Sequence, residues 1–379
     1  MRGSWQQKKL VEVATLQRGF DLPTKDRVSG SFPLVSSSGV IDTHNEGPID
    51  GPGVVTGRSG SVGNVFFVEG SYWPLNTVLY VKDFHGNDPK FVYHLLIHLN
   101  PLRFASGAGV PTLNRNTIHE EVVLVPNLPE QRRIVAILDK AFENIAIARA
   151  NAEKNLQNAQ ILQRNHIEDV FAQKQVSGVT RPLQELVESN LIGLTRSARD
   201  QSDHKEYPYV KMNNITPNNR FDFSNYVRVD ASKSEAQRFT LEAGDFLFNT
   251  RNSYELVGKA CIYRPVTDAP TVFNNNIMRI RFHTGIDPKF VLYAFSTATV
   301  REMLRGMKSG TTNVSAIYYK DLRSLSLPNP DLVTQRKAVE RLDAVSTEAG
   351  RLESIYRRKL AALDELKQSL LHQAFSGQL

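Results

Sequence analysis

The chain has 379 residues, of which 41% are hydrophobic and 22% are charged, and it contains a single cysteine, Cys261. This length allows two or three domains, and the composition is that of a globular protein rather than a disordered one. One cysteine excludes an internal disulfide framework and a cysteine-rich zinc site. The formal charge of +7 indicates a polyanionic partner without proving one.

Neither a membrane helix nor a signal peptide is predicted. Apolar runs stay short of the roughly 18 residues that a membrane helix needs. Residues 1–5 include Arg2 and do not begin an apolar signal core. We therefore expect a cytoplasmic protein with no membrane partner.

An internal repeat organises the chain. Residues 88–92 (Asp-Pro-Lys-Phe-Val) recur as residues 287–291. Further matches join 32–35 with 207–210, Arg58 with Arg251, 131–133 with 335–337, and 138–139 with 342–343. The offset grows from 175 to 204 residues along the chain, as expected for a duplication whose second copy gained loop insertions. The two copies are residues 1–175 and 176–379.

Each copy begins with a region rich in glycine, proline and asparagine. Turn residues punctuate short β-rich runs, which predict a strand-rich globular region in each copy. These runs lie at residues 54–55, 65–68 and 78–81 in the first copy, and at 246–248 and 277–282 in the second. Pro89 and Pro288 each follow an aspartate, so we predict a short helix beginning at each proline.

Each copy ends in a long stretch with heptad spacing. The predicted seam consists of Ile134, Leu138, Ala141, Ile145, Ala148 and Ala152 in the first copy, and of Ala338, Leu342, Val345, Ala349, Leu352, Tyr356, Leu363, Leu366 and Leu370 in the second. Helices of roughly 43 residues would be about 65 Å long. So thin a seam suits another helix, and we predict an intramolecular coiled coil between the copies. Asn155 and Lys359 are polar seam positions that either fix the register or face solvent.

Catalytic signatures are not found. No phosphate-binding loop with the P-loop spacing occurs, and Gly57, Gly60 and Gly63 are interpreted as a turn between strands. His94 and His98 are four residues apart on a predicted helix, but no cysteine or carboxylate motif supports a metal site there. We therefore predict neither catalytic residues nor metal or cofactor ligands in this chain.

Polar side chains that suit nucleic-acid recognition cluster in the loops of both copies. Arginine pairs with guanine, asparagine pairs with adenine, and lysine, serine and threonine hold phosphate. The predicted DNA-binding residues of the first copy are Arg58, Ser59, Asn76, Asn114, Arg115 and Asn116. Those of the second copy are Lys211, Asn213, Asn214, Arg220, Asn249, Arg251, Asn252, Asn274, Asn275, Asn276, Lys308, Thr311, Thr312 and Asn313. Asparagine and threonine are also common in turns, where they bond to local backbone.

The chain resembles the specificity (S) subunit of type I restriction–modification systems over essentially its whole length. The features that carry the resemblance are residues 10–14 (LVEVA), 57–63 (GRSGSVG), 109–114 (GVPTLN), 249–253 (NTRNS) and 128–134 (LPEQRRI). The last of these recurs more loosely at residues 332–338 (LVTQRKA), which lack the Pro-Glu pair before Gln335.

The resemblance implies an α+β fold with two target recognition domains in tandem, separated by two long helices that pack antiparallel. The expected domains are residues 1–128 and 179–330, and the expected helical segments are 129–178 and 331–379. Each domain would read one half of a split double-stranded DNA site. The helices would dock two methyltransferase (M) subunits, and the complex would recruit restriction (R) subunits. Those partners would use S-adenosylmethionine, ATP and magnesium, whereas the S subunit would be non-catalytic and need no cofactor.

Differences between the two copies predict the symmetry of the DNA site and the charge of the binding surface. The recognition loops differ between the copies, which predicts an asymmetric, bipartite DNA site. Residues 1–128 carry eleven basic and eleven acidic side chains, whereas residues 181–330 carry twenty and fifteen. If the first domain binds DNA, it must therefore do so through a locally basic face.

The heptads alone also fit an alternative, a coiled-coil scaffold protein with protein-binding globular domains. A solitary DNA-binding S subunit is a closer alternative. Co-purification with a methyltransferase subunit and binding to a defined duplex would distinguish the scaffold from a specificity subunit. The genomic neighbourhood would identify a solitary subunit.

Overall fold

The computed structural model describes residues 5–107, 109, 111–311 and 313–379, and it divides into two compact units. Unit 1 is Met1–Lys154 with Tyr356–Leu379, and unit 2 is Asn155–Ile355. Val110 of the quoted motif and Thr312 of the predicted DNA-binding set lie outside the described residues. No helix within the described ranges has the length and apolar character needed to span a membrane.

The globular part of unit 1 is built from short strands. The strands are β1 (Gln6–Lys9), β2 (Thr15–Arg18), β3 (Phe32–Ser36), β4 (Gly39–His44), β5 (Gly53–Gly57), β6 (Val65–Val68), β7 (Trp73–Pro74), β8 (Val78–Asp83), β9 (Ala105–Ser106), β10 (Thr112–Leu113) and β11 (Val122–Val125). Two short helices, α1 (Pro89–Leu99) and α2 (Arg115–His119), precede the long α3 (Leu128–Ala172). The strands form a four-stranded antiparallel sheet β2-β8-β5-β6, a three-stranded sheet β4-β3-β7 and the pairs β1-β11 and β9-β10.

Unit 2 repeats this plan with more elements. Its strands are β12 (Thr180–Pro182), β13 (Val187–Ile192), β14 (Gln201–Ser202), β15 (Tyr207–Val210), β16 (Val227–Val229), β17 (Phe246–Asn249), β18 (Arg251–Asn252), β19 (Ala260–Ile262), β20 (Val272–Phe273), β21 (Ile277–Phe282), β22 (Ser309–Gly310), β23 (Ser315–Ala316) and β24 (Ser326–Pro328). Its helices are α4 (Lys174–Ser177), α5 (Leu183–Leu186), α6 (Lys233–Phe239), α7 (Pro288–Ala294), α8 (Ala298–Gly306), α9 (Tyr319–Leu322) and the long α10 (Leu332–Phe375). Short 3-10 turns occur at Leu10–Glu12, Thr24–Asp26, Pro101–Phe104, Ala198–Asp200 and Met212–Asn214.

The main sheets of the two units have the same strand order. The sheet β13-β21-β17-β19 of unit 2 corresponds to β2-β8-β5-β6 of unit 1. The remaining strands of unit 2 form β14-β16-β15-β20, β18-β23-β22 and the pair β12-β24. All five predicted strand runs lie in these sheets, and the glycine series forms the predicted turn between β5 and β6, where Gly60 and Gly63 have φ of +79° and +95°. That left-handed backbone favours glycine.

The predicted short helices begin at the predicted prolines. The Asp88 carboxylate caps α1 by accepting hydrogen bonds from the backbone N–H of Lys90 and Phe91. The Asp287 carboxylate caps α7 in the same way, through Lys289 and Phe290. An aspartate cap followed by proline at the first helical position stabilises a helix start, so the repeated Asp-Pro pair fixes both boundaries.

A glutamine near the start of each long helix joins that helix to the aspartate-capped one. Gln131 is 2% exposed and Gln335 is 1% exposed. Gln131 Oε1 accepts from the backbone N–H of Asp88 at 2.9 Å, and Gln335 Oε1 accepts from that of Asp287 at 2.8 Å. Each amide nitrogen donates to a proline carbonyl five residues earlier in the chain. The repeated glutamine therefore has the same structural role in both copies.

Each unit contains an antiparallel pair of long-helix segments. In unit 1, Ile134 and Leu138 of α3 share one buried cluster with Leu371 and Phe375 of α10. The Arg149 guanidinium contacts the Asp364 carboxylate further along the same pair, so the residue numbers rise on one helix as they fall on the other.

In unit 2, Ile167 and Phe171 of α3 share a cluster with Ala338 and Leu342 of α10. Gln163 Nε2 donates to Ser346 Oγ at 3.0 Å further along this pair, so these segments are antiparallel as well. These features confirm the predicted α+β fold with tandem strand-rich domains and antiparallel long helices.

The structure distinguishes between the two alternatives for the polar seam positions and corrects one apolar position. Asn155 and Lys359 are exposed, so these polar residues face solvent and do not fix the register. Leu366 is 47% exposed, although the heptad pattern assigned it to the seam. Leu371 and Ala374, both fully buried, are the inward-facing residues of that end of α10. The heptad predicted here drifts relative to the true contact face because a straight helix has 3.6 residues per turn rather than 3.5.

Candidate nucleic-acid interface

The loop after β5 joins a small hairpin in unit 1. Strands β9 and β10 pair antiparallel, and Ser59 forms a bridge with Thr112. The backbone N–H of Leu113 donates to the carbonyl of Arg58 at 2.8 Å. The motif around Arg58 and the part of the second motif at residues 112–114 thus lie side by side.

Three arginines converge beside this hairpin. Arg18, Arg58 and Arg115 line one open pocket of about 400 Å³ with Asn114, Leu79, Thr112 and Leu113, and we call it the basic pocket. Arg18 lies at the end of β2 and was not among the residues predicted from the sequence. A local concentration of positive charge on a domain with balanced charge agrees with the basic face expected for the first copy.

The predicted residues around the basic pocket are mostly accessible. Asn114, Arg115 and Asn116 are exposed, and the Asn114 side chain caps α2 by accepting the backbone N–H of Asn116 at 3.0 Å. The Asn76 side chain donates to the Asp21 carboxylate, while its carbonyl accepts from Arg58 Nη1 at 3.3 Å. Asn76 therefore helps to orient Arg58.

His119 connects α2 to the edge strand that carries Arg18. Its Nε2 accepts a hydrogen bond from the backbone N–H of Leu16 at 2.9 Å. Burial, assisted by the charge of Arg115, lowers the pKa of His119. The ring is therefore neutral at pH 7 and can accept this bond, which keeps α2 next to β2.

Unit 2 presents a corresponding surface on the three-stranded sheet β18-β23-β22. Arg251 pairs in register with Ala316, and Ser309 pairs with Ala316 from the other side. Arg251, Thr311 and Asn313 are exposed, as DNA contact would require. We call this sheet and its flanking side chains the hairpin surface of unit 2.

Exposed tyrosines beside basic residues flank that hairpin surface, and the sequence analysis missed them. Tyr254 is 40% exposed and Tyr318 is 47% exposed. Lys308 Nζ lies 4.6 Å from the Tyr254 ring centre and also donates to the Tyr254 carbonyl, and Lys320 lies over Tyr318. Burial, followed by the charge of Arg305, lowers the pKa of Lys308. The available signal in the sequence was the Tyr-Tyr-Lys run at residues 318–320, because nucleic-acid surfaces combine aromatic and basic side chains.

Three predicted asparagines are internal and do not fit a DNA-contacting role. Asn214 donates to the carbonyls of Asp222 and Asn225 and accepts from the Lys211 backbone N–H. Asn249 is fully buried and Asn274 is 8% exposed. Asn249 donates to the carbonyls at positions 251 and 276, and Asn274 donates to the Tyr209 hydroxyl. These side chains satisfy buried loop backbone, which is the turn role that asparagine often has.

The other predicted residues of the second copy occupy intermediate positions. Lys211 Nζ donates to Gln201 Oε1 at 2.8 Å, and Asn252 donates to Asn249 Oδ1, so both are partly engaged within the protein. Asn213 is exposed, whereas Asn275 and Asn276 are half-buried.

Arg220 is exposed and lies in a different part of unit 2 from the hairpin surface. It lines a cavity of about 640 Å³ together with residues of α3 and α10. A side chain at Gly350 would approach the Arg220 guanidinium to within 3.3 Å, so glycine leaves room for Arg220 against α10. The structure therefore does not bring Arg220 together with Arg251.

The backbone hydrogen bonds correct one match between the two copies, that of Arg58 with Arg251. At the end of β5 Gly57 pairs with Val78, and at the end of β17 Asn249 pairs with Ile277. The N–H groups of the next residues, Arg58 and Thr250, donate to the carbonyls of Thr77 and Asn276, both at 2.9 Å. Arg58 thus corresponds to Thr250, and Ser59 corresponds to Arg251. The sequence comparison aligned the two arginines because they are identical residues, but they occupy adjacent positions of the fold.

No cluster of three or more potential metal ligands among histidine, cysteine, aspartate and glutamate occurs in the described part of the chain. His94, considered for metal binding with His98, instead bonds through Nε2 to Asp139 at 2.9 Å.

The chain consists of a duplicated sheet-and-hairpin domain with paired long helices, and the comparisons identify the family of two-domain proteins to which it belongs. The model of the type I restriction modification DNA specificity domain matches residues 3–158 and 178–357. The chain therefore belongs to this family, which confirms the class predicted from its motifs. The family is named for specificity and not for catalysis, in line with the predicted non-catalytic role.

Curated relatives include several type I specificity subunits. The chain is 27% identical over 152 residues to the EcoKI specificity subunit of Escherichia coli K12, covering 40% of this chain and 33% of that protein. It is 23% identical over 291 residues to the StySPI specificity subunit of Salmonella potsdam, covering 73% and 61%. In both alignments the chain spans less than two thirds of the relative's length.

Solved structures share the fold over the full chain. A structure describing complex assembly and conformational transition of the type I R-M system has a TM-score of 0.74 at 20% identity, covering 100% of this chain and 99% of that one. The HsdS subunit from Thermoanaerobacter tengcongensis has a TM-score of 0.53 at 20% identity, covering 100% and 98%.

Proposed function

We propose that this chain is the DNA sequence-recognition subunit of a type I restriction–modification complex and binds double-stranded DNA. The observation that carries the proposal is the presence, in each unit, of an arginine beside a short hairpin, Arg58 in unit 1 and Arg251 at the adjacent position of the repeat in unit 2. Arginines on exposed loops suit both base edges and phosphates. Family membership supports the same function.

The bound site is asymmetric and bipartite under this proposal. The basic pocket of unit 1 has three arginines, whereas the hairpin surface of unit 2 has Arg251 beside exposed tyrosines. Two surfaces of different chemistry read different base sequences, so the two halves of the target are unlike each other. A palindromic target would require two equivalent surfaces.

The long helices would dock methyltransferase subunits, two in number, and the assembly would recruit restriction subunits. Ile147 on α3 is 55% exposed, Leu162 on α3 is 58% exposed, and Leu366 on α10 is 47% exposed. Contact with a partner subunit would remove this apolar surface from water. The partners would bring S-adenosylmethionine, ATP and magnesium, while this chain would contribute recognition without catalysis or a cofactor. The assembly would be cytoplasmic.

Replacement of Arg251 tests the DNA role of the hairpin surface. Arg251→Ala is expected to weaken binding to the target duplex and to change its dependence on salt concentration. Arg336→Ala removes the same charge from an exposed position on α10 and serves as the matched control. Binding is measured by fluorescence anisotropy across a salt series. Unchanged affinity and unchanged salt slope for Arg251→Ala would mean that Arg251 has a structural role only.

A further inference from the structure

The basic pocket of unit 1 concentrates positive charge with little internal compensation. Arg18 makes one exposed ion pair, with Asp21 at 3.4 Å, and Arg58 donates to the Asn76 carbonyl at 3.3 Å. Arg115 is exposed and lowers the pKa of neighbouring His119 by its charge. Positive charges that lie close together repel one another, and a bound anion relieves this repulsion. The pocket is therefore arranged for an anionic group.

The three equivalent positions in unit 2 carry uncharged residues. The N–H of Gly19, next to Arg18, donates to the Val78 carbonyl at 3.1 Å, and the N–H of Gly193, next to Ile192, donates to the Ile277 carbonyl at 3.1 Å. Arg18 thus corresponds to Ile192, which is 46% exposed.

The other two arginines are also replaced in unit 2. Arg58 corresponds to Thr250, as its backbone hydrogen bond shows. The Leu113 N–H bonds to the Arg58 carbonyl and the Ile317 N–H bonds to the Thr250 carbonyl, so Arg115, two residues after Leu113, corresponds to Tyr319. All three arginines are therefore specific to the first copy and are not needed for the repeated fold.

We propose that Arg18, Arg58 and Arg115 bind a backbone phosphate of the DNA, and that the second copy has no such phosphate contact at the equivalent place. Several guanidinium groups around one concave pocket suit the oxygens of a phosphate, since each group presents a planar set of donors. A guanine edge would need only one bidentate arginine. The inference rests on the proposed DNA-recognition function and assigns one contact type to one half-site.

The test uses the full chain and two DNA duplexes of the same length. One carries the target motif identified by methylome sequencing, and the other has a scrambled sequence. The double variant Arg18→Gln/Arg115→Gln is expected to bind both duplexes more weakly by the same factor. The slope of log affinity against log salt concentration should fall by about 1, as for one lost phosphate contact. Lys82→Gln, at an exposed position of β8 in the same unit, is the control and should leave both quantities nearly unchanged.

Three results would separate the alternatives. A loss confined to the target duplex, with a changed base in the methylated motif, would mean that the pocket reads guanine and would overturn the phosphate assignment. Unchanged affinity and slope in the double variant, with specific binding by the wild-type chain, would also overturn it while leaving the DNA-recognition function intact. Failure of the wild-type chain to prefer its target duplex would overturn the proposed function itself. Both arginines are exposed, so the double variant is expected to fold normally. An unchanged melting temperature relative to the wild-type chain verifies this.

Discussion

The repeated glutamine is the residue on which the junction between sheet domain and long helix depends. Gln131 and Gln335 are each almost fully buried and each bonds to the N–H of the aspartate that caps a short helix. A buried backbone group that loses its partner destabilises the fold, since water cannot replace the lost bond. This internal bond gives the glutamine the same structural role in both copies without reference to DNA.

Removal of Gln131 should therefore cost stability. Gln131→Leu leaves the Asp88 N–H and the Pro126 carbonyl without this partner, and the free energy of unfolding should fall by about 1–3 kcal/mol. Urea denaturation followed by circular dichroism measures the change. Gln157→Leu, at an exposed position on the same helix, should change the unfolding free energy by less than about 0.5 kcal/mol. Equal effects of the two substitutions would contradict the role given to Gln131.

A second residue pair differs between the copies in its response to pH. His94 bonds to Asp139, and at the equivalent position the Tyr293 hydroxyl donates to Asp343 at 2.8 Å. Burial lowers the pKa of His94 from its usual 6.5 and outweighs the opposing effect of Asp139, while Lys90 and Lys367 act in the same direction as burial. Burial alone would raise the pKa of Asp139, but hydrogen bonds from Lys90 and His94 lower it.

Stability should consequently fall in mild acid through His94. Because the unfolded chain binds the proton more readily than the folded one, the free energy of unfolding decreases as the pH drops below 6.5. His94→Tyr, which introduces the residue of the second copy, should flatten the dependence between pH 7 and pH 5. Denaturation at several pH values measures this, and His98 and His119 remain as a common background. An identical slope in wild type and variant would rule out His94 as the titrating group.

At the scale of elements, local signals predicted more of the fold than of the site. An Asp-Pro pair sets the start of a helix through hydrogen bonds to the residues that follow it, so the helix starts at Pro89 and Pro288 were predicted correctly. Which asparagines are buried depends on contacts distant in sequence, and Asn249 looks the same as an exposed loop asparagine in a sequence. The same limitation explains the alignment of Arg58 with Arg251, because only the hydrogen-bonded register shows that they occupy adjacent positions.

The paired helices provide an element-scale prediction about the distance between half-sites. Insertion of one heptad after Lys154 in α3 and one after Ile355 in α10 adds about 10 Å of helix while keeping the seam in phase. The spacer of the DNA target should lengthen by roughly three base pairs, with both half-sites unchanged. Methylation-site sequencing of cells that express the variant complex measures the spacer. A changed half-site sequence, or an unchanged spacer, would argue against the hypothesis that the length of these helices sets the distance between the half-sites.

At the scale of the whole molecule, the two copies share one scaffold and differ in their exposed surfaces. The sheets, the aspartate caps and the buried glutamines are common to the two copies, whereas the exposed side chains around the hairpins differ. The net charge of +7 does not reveal this division, because the first copy has a basic pocket within a domain of balanced charge. A scaffold that is repeated in both copies and carries two different surfaces predicts recognition of two different half-sites.

Methylome sequencing of cells that express this chain with the proposed methyltransferase partner tests that claim most directly. The expected result is one methylated motif made of two unlike half-sites of a few base pairs each, separated by an undefined spacer of roughly 5–8 base pairs, since half-sites read from one face of DNA lie about one helical turn apart. A continuous motif, or a palindromic one, that disappears when this chain is deleted would contradict the account.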